Sequence, residues 1–548
     1  MRPWIGCAVV IFLAACSGAT PSGFGSAGGD DSNGNGSGDN GADGGTGSST
    51  GNGGDGGGGT TPVPPAPTNL LAGASVSQVN VYQGSESVIV QSGAAATPGV
   101  ALVAGRPALF RIFVTPGSGF AGGNVTAQLR FEDAGGNALD SLSASASITA
   151  ASTESDTNST INFTVPATDI VANGKYSVAL VDSGAPSVAV GTANPARFPQ
   201  DGTTAPHGAK TTGGLKITLV PVITSGGSPP DTSATQLQTL HDVMFALYPV
   251  TDVTITVHST YNYNGTVSGT SSQGYEDVLE AITNLRQSDN PPDDVYYWGT
   301  FDPKSTFAAF CGGGCIAGLS TVDEDASDAA DRVSTGIGYT GTDTAFTMAH
   351  EVGHAHGRNH APGCGASGID PSFPSAYDVS GSEGTFGSIG IPGYDLVNKV
   401  FEDPSQTGDV MGYCPPTWVS DYTYNAFFTR VQQVNGAADV IGNPLKFTTP
   451  QPYRFVNVYD DGTARWGQAI NMRDKPTGNP DHTVTYLDAN GKSLGTATAH
   501  LHRFDHSNGG YLLVPEGPAG FTSIRVVYSG APLTAGRVAI DKTLLRNF

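Results

Sequence analysis

Hydrophobic and polar positions divide the chain into three successive patterns. Between residues 69 and about 205, short apolar stretches recur without helical spacing. Val79-Asn80-Val81-Tyr82 and Ala108-Leu109-Phe110-Arg111-Ile112-Phe113-Val114 have strand composition, and Val125 to Phe131 alternates with period two. Asp133-Ala134-Gly135-Gly136-Asn137 supplies a hairpin turn between two such runs. From about 206 the pattern changes. Leu215 to Val222 reads as a buried strand, and Ser233 is placed to cap a helix through Leu237, Leu240, Val243, Met244 and Leu247. Val253 to Val257 is the next strand, Glu276 to Arg286 the next helix, and Asp294 to Trp298 and Ile316 to Ser320 are further strands. From about 438 strand signals return at Arg454 to Tyr459, Thr483 to Leu487 and Ser523 to Tyr528. Asp488-Ala489-Asn490-Gly491 reads as a turn, since it lacks the ligand ladder and closing Glu of a calcium loop.

These patterns predict a multidomain chain. An immunoglobulin-like β-sandwich is expected over 69–205, an α/β domain over 206–437 and a C-terminal β-sandwich over 438–548. Ahead of them, residues 17–68 are dominated by Gly, Ser, Asn and Asp and close on Thr61-Pro62-Val63-Pro64-Pro65-Ala66-Pro67. Such a segment buries no core and reads as a disordered tether.

The first residues carry an export signal. Arg2 precedes an apolar run from Ile5 to Ala15 that is too short to serve as a stable anchor. The run ends in Leu13-Ala14-Ala15-Cys16, which resembles a bacterial lipobox. That resemblance implies that 1–16 is a lipoprotein signal peptide, with Cys16 lipidated and the protein anchored to a membrane of the bacterial cell envelope. Ser17 stands where an Asp would imply inner-membrane retention, so the outer membrane is expected, with surface exposure or release left open. A conventional signal peptide is the alternative. Composition narrows the partners: 25 Lys and Arg against 48 Asp and Glu give a net charge of −23, which excludes the basic surface that nucleic acid requires.

One segment carries chemistry. In Thr347-Met348-Ala349-His350-Glu351-Val352-Gly353-His354-Ala355-His356-Gly357-Arg358-Asn359-His360, His350 and His354 share one helical face. Two imidazoles at that spacing can hold one Zn2+, and Glu351 beside them can accept a proton from water. Gly357 can end the helix in a left-handed conformation and swing the chain back, so that His360 supplies a third nitrogen.

The full H-E-x-x-H-x-x-G-x-x-H pattern resembles the metzincin zinc metalloproteases. That family has a Met-turn downstream, and Asp409-Val410-Met411-Gly412-Tyr413-Cys414 looks like one. The resemblance covers about 215 to 435 and implies a metzincin-like α/β domain with one catalytic zinc. It places Met411 beneath the metal and Tyr413 as a metal ligand or hydrogen-bond donor to the reaction intermediate. Its implied activity is endopeptidase cleavage of extracellular proteins or glycoproteins. The multidomain layout is faintly similar to secreted bacterial mucin-cleaving metalloproteases. Ala361, following the third histidine, matches none of the well-known subfamilies. The competing reading is a surface adhesin or glycan-binding lipoprotein with an incidental protease-like domain. An intact Glu351 counts against it.

Other candidates are weaker. His356 falls on a different helical face and is expected in solvent. Asp323, Glu324, Asp325, Asp328 and Asp331 read as a solvated loop, with calcium binding possible in principle but unsupported. His500, His502 and His506 could hold a second metal, although strand alternation accounts for the first two. Four cysteines remain in the domains, and export favours their oxidation. With the Met-turn assigned, Cys364 and Cys414 must both approach the zinc, so the expected pairs are Cys364–Cys414 and Cys311–Cys315. A zinc-thiolate cluster is the alternative. Residues of the lipobox yield a direct test: Cys16→Ser is expected to block processing or release the protein from membranes. Membrane fractionation with N-terminal sequencing checks it, and unchanged partitioning with unchanged cleavage contradicts the lipobox reading.

Overall fold

The computed structural model describes residues 63–528 and 538–540, apart from 64, 313, 383, 439–445, 460–463, 478 and 507–508. The signal segment with Cys16 and nearly all of the 17–68 tether lie outside the described residues. Two antiparallel sheets come first. One has five strands in the order Ala94–Ala95, Glu86–Gln91, Ala74–Tyr82, Ala108–Pro116 and Ile161–Val165. The other centres on Gly123–Glu132, paired with Ala138–Ile148 and Lys175–Val181. Val125, Ala127, Leu129 and Phe131 point into a core shared with Val79, Val81, Phe110 and Ile112, as period-two alternation requires. The turn between the long strands is closed by Asn137 N donating to Asp133 Oδ1 at 2.8 Å.

The next part is a mostly parallel sheet. Its main strands are β1 (Leu215–Ile223), β2 (Val253–Val257), β3 (Val295–Phe301), β4 (Gly318–Ser320) and β5 (Val333–Ile337), in the order β2-β1-β3-β5-β4, with the short Tyr261–Asn262 also pairing with the end of β1. The first four in that order run parallel, and β4 lies antiparallel to β5 at one edge. Both faces are covered over the second half of β1, which explains the unbroken apolar run from Leu219 to Ile223. Leu215, Ile217 and Leu219, with Tyr296 and Trp298 of β3, meet helices α1 (Ala234–Leu247), α3 (Thr342–Ala355) and α4 (Asp421–Ala438). Val220, Val222, Tyr297 and Phe301 meet α2 (Gln273–Asp289) on the other side. Ser233 caps α1 as the sequence predicts, its Oγ accepting from Gln236 N at 3.3 Å.

The C-terminal part departs from the expected two-layer sandwich. It is one curled antiparallel sheet of seven strands: β6 (Lys446–Val458), β7 (Ala464–Asp474), β8 (Asn479–Leu487), β9 (Ser493–Arg503), β10 (Gly510–Pro515), β11 (Ser523–Tyr528) and β12 (Val538–Ile540). The order is β7-β6-β10-β9-β8-β11-β12: four of the six connections join neighbours, and the two that cross over, β7 to β8 and β10 to β11, stay within the one sheet. One face curls over Val456, Val484, Leu501, Leu512 and Val526. The other packs Phe455, Ile470, Met472, Phe504 and Leu513 onto α2, doing for that face what a second sheet would.

Polar seams join the three parts. Arg106, wholly buried in the N-terminal part, donates to Tyr248 O at 2.8 Å, Val250 O at 2.7 Å and Phe245 O. It thereby satisfies carbonyls left open at the C-terminal end of α1, where a cation also complements the helix dipole. Trp418 Nε1 donates to Gly84 O at 2.8 Å and Tyr424 Oη to Gln83 O at 2.9 Å across the same boundary. On the opposite side, Glu280 of α2 accepts from Asn457 Nδ2 at 2.8 Å and Gln468 N at 2.7 Å. Burial pushes the Glu280 carboxyl up to about 7. Among the described residues no helix is long and apolar enough to cross a membrane. Loss of a buried, charge-assisted cap of this kind costs about 3 kcal/mol, so Arg106→Ala is expected to lower the denaturation midpoint markedly. Chemical denaturation followed by tryptophan fluorescence measures it, and an unchanged midpoint contradicts the capping role.

Candidate metal centre

Helix α3 buries Ala345, Met348, Ala349 and Val352 against the sheet and presents His350 and His354 one turn apart. The helix stops because Gly357 adopts φ +81°, where a side chain would be strained. A Cβ at Gly357 would also stand 2.6 Å from Asp323 O, so both conformation and space call for glycine. The reversal carries His360 back over the helix end. His354 Nε2 then lies 3.0 Å from His350 Nε2 and 3.1 Å from His360 Nε2.

These short approaches are not hydrogen bonds. Each ring spends its Nδ1 proton on a backbone carbonyl: His350 on Val410 O at 2.7 Å, His354 on Arg358 O at 2.5 Å, His360 on Ser367 O at 2.6 Å. That tautomer leaves three Nε2 lone pairs converging on one point with no proton between them. Burial lowers the His350 pKa to about 4 and holds His354 and His360 well below the ordinary imidazole value, so all three are neutral ligands. A tetrahedral zinc site with Zn–N bonds of 2.0–2.1 Å sets its nitrogens about 3.3 Å apart. The residues present fit such an ion.

The turn at Asp409–Met411 supports this set from below. Val410 offers its carbonyl to His350, and Asp409 fixes the turn by accepting from Met411 N at 2.7 Å and Ser420 N at 3.1 Å. Met411 reaches under the helix at Gly353, where a Cβ would collide with its sulfur. Tyr413 is buried with its hydroxyl 2.8 Å from His360 Nε2. Burial raises its pKa well above the ordinary phenol value, so it stays protonated. The disulfides are Cys364–Cys414 and Cys311–Cys315, the expected pairs. The first joins the loop after His360 to the Met411 turn and closes a span of 50 residues, worth about 4 kcal/mol by chain entropy.

Glu351 is buried beside the histidines, its carboxylate against the Cα of Gly318 in β4. Burial, and then the Asp505 carboxylate, hold its carboxyl well above the usual range. Asp505 and His506 are the residues that sequence reasoning does not place here. They follow β9 in the C-terminal sheet, far from the H-E-x-x-H segment in the chain. Asp505 Oδ2 lies 3.4 Å from His354 Nε2 and 3.0 Å from His506 Nε2. His506 Nε2 lies 3.5 Å from Glu351 Oε1, and its Nδ1 contacts the Tyr413 hydroxyl. Burial alone would lower the His506 pKa, but Asp505 and Glu351 together push it up to about 9. Its one sequence signal is its membership of the 500–506 histidine cluster.

Two expectations are corrected. His356 is buried and not in solvent: its Nδ1 donates to Val352 O at 2.7 Å and its ring stacks on Tyr296 at 4.5 Å, because the strand beneath α3 presents an aromatic there. Of the acidic run, Glu324 and Asp325 are exposed, but Asp323 is buried beside Arg430 of α4 at 3.6 Å, and Asp328 and Asp331 are buried where the C-terminal sheet covers them. His502 is part of that seam. It donates to Asp331 Oδ2 at 2.6 Å, Tyr511 donates to Asp331 Oδ1 at 2.7 Å, and Thr477 Oγ1 donates to Asp328 Oδ2 at 2.8 Å. Asp328, Asp331 and His502 lie close enough to hold an ion, yet these carboxylates already have their donors. His500 and His502 alternate along β9 as the sequence suggests, and His500 is half-buried.

Neither a family model nor a curated protein sequence matches the chain. Solved structures are similar only distantly. A structure of a chaperone–substrate complex shares 13% identity at a TM-score of 0.22, over 50% of this chain and 39% of that one. A candidate beta-galactosidase from Bacteroides fragilis shares 11% identity at a TM-score of 0.12, over 42% of this chain and 34% of that one. The chain thus spans less than half the length of either. Ligand assignment is tested by metal analysis of the dialysed full-length protein. His350→Ala, His354→Ala and His360→Ala are each expected to lose the stoichiometric metal, and His356→Phe to keep it. A folded His356→Phe protein without metal contradicts the assignment.

Proposed function

We propose that the chain is a zinc-dependent endopeptidase of metzincin type, acting on proteins or glycoproteins outside the cytoplasm while anchored through Cys16. The observation that carries this reading is the convergence of three proton-free imidazole nitrogens beside a buried carboxyl that is not needed to hold the ion. Zinc bound there would supply Lewis-acid chemistry, polarising a carbonyl and lowering the pKa of water. The protein's own groups do the rest. Glu351, next to the first ligand on α3, accepts the proton of the attacking water and returns it to the departing amine. Tyr413, protonated and beside His360, donates to the oxyanion. The N-terminal sheets and the C-terminal sheet position the substrate or space the enzyme from the membrane.

Two features favour catalysis over an adhesin with a vestigial site. Glu351 is kept at a burial cost that a purely structural helix would avoid, and Gly318 leaves room for its carboxylate. Peptide-library profiling with and without chelator tests the reading. Glu351→Ala is expected to keep zinc and fold while hydrolysis falls ~10²–10⁴-fold. Retention of more than about a tenth of the wild-type rate, against that 10²-fold minimum, removes Glu351 from its role.

A further inference from the structure

The segment Arg503–His506 runs along the exposed edge of the parallel sheet as an added strand. Thr321 and Phe504 form an antiparallel bridge, Val322 N donates to Arg503 O at 2.9 Å, and Asp505 N donates to Ser320 O at 3.2 Å. Ser320 N is taken by Asp505 Oδ1 at 3.3 Å. The chain's own C-terminal part thus occupies the backbone groups beside β4 that an extended substrate would need. Its side chains go further. Asp505 Oδ2 stands 3.4 Å from His354 Nε2, close to the ligand-to-ligand edge of about 3.3 Å in a tetrahedral zinc site. It also falls within 4.8 Å of the donor atoms of Glu351 and His354, and of His360 and His506. His506 faces both groups expected to move protons, Glu351 at 3.5 Å and the Tyr413 hydroxyl, and its ring stacks on His360 at 5.3 Å.

We infer that Asp505 is a fourth, internal ligand of the metal, and that Asp505-His506 forms a latch closing the cleft in the intact chain. The inference rests on the metallopeptidase reading above and adds its regulation. A site completed by Asp505 has no open position for water, and a catalytic zinc needs one. The latch is held at its tip by a few backbone bonds, the Asp505 carboxylate and the contacts of His506 with Glu351, Tyr413 and Ser367, while Phe504 behind it is buried in the α2 core. A peptide strand that replaces those bonds one for one, or a cut in the C-terminal sheet, would therefore free the tip without unfolding the sheet.

The test uses the full-length protein loaded with zinc or cobalt(II) and a short peptide hydroxamate as probe. Asp505→Ala is expected to bind the hydroxamate at least tenfold more tightly than the wild type. The visible spectrum of its cobalt form should change, reporting loss of a carboxylate ligand. Equal hydroxamate affinity together with identical cobalt spectra overturns the latch. His506→Ala provides a second variant that leaves the Asp505 backbone bonds in place. Its peptide hydrolysis is expected to rise at least tenfold at unchanged metal content. A fall in kcat with metal retained would make His506 a catalytic residue and also overturn the latch. If the spectral change occurs but no variant hydrolyses any peptide, the internal ligand stands and the peptidase reading falls.

Discussion

Three hydrogen bonds from imidazole Nδ1 to backbone carbonyls decide the character of the candidate metal centre. They fix each ring in the tautomer that turns a bare nitrogen inward, and partners of this kind typically carry 10–100-fold in metal affinity. The acceptors, at Val410, Arg358 and Ser367, belong to three different stretches of chain. Each stretch is separately held. Asp409 ties down the first, Arg358 pairs with Asp370 at 3.0 Å beside the second, and the Cys364–Cys414 bridge restrains the loop carrying the third. Much of the irregular chain after α3 exists to hold three oxygens still.

The parallel sheet supports this arrangement asymmetrically. Its metal-side face is clad by helices, and its other face by α2 under a curled antiparallel sheet. Buried charges at the second boundary, such as His502 with Asp331 at 2.6 Å and Arg286 with Asp474 at 3.4 Å, gain little net stability after desolvation. They do penalise misdocking, since a displaced sheet would strand them unpaired. One docking position satisfies them, and it is the position that sends the end of β9 along β4.

Local signals make much of the centre legible in the amino-acid sequence. His350, Glu351, His354, Gly357 and His360 lie within a dozen residues, where helix periodicity and one glycine suffice to derive their geometry. Met411 and the cysteine pairing need the family resemblance, because about fifty residues separate that turn from the helix. Asp505 and His506 are not legible. Nothing in the 438–548 region encodes which face of its sheet meets α2, and that docking alone carries the pair to the three histidines. His356 is misread for a related reason: helical position locates it away from the ligands, but only the β3 strand beneath, with Tyr296, makes that face interior. The C-terminal sheet itself is legible as strands, while its single-layer form depends on α2 covering one side.

The Arg106 cap has a consequence for how the molecule can be divided. Helix α1 ends on carbonyls whose donor lies in the preceding β region, and Trp418 and Tyr424 rely on acceptors at Gly84 and Gln83 in the same region. Sequence composition suggests a seam near residue 205, yet hydrogen-bond completeness crosses it. A recombinant fragment beginning there would start life with an uncapped helix and two unanswered buried donors. The natural module for expression, exchange or directed evolution is therefore the pair of regions taken together, and grafting a foreign domain in front of residue 206 would have to bring its own guanidinium.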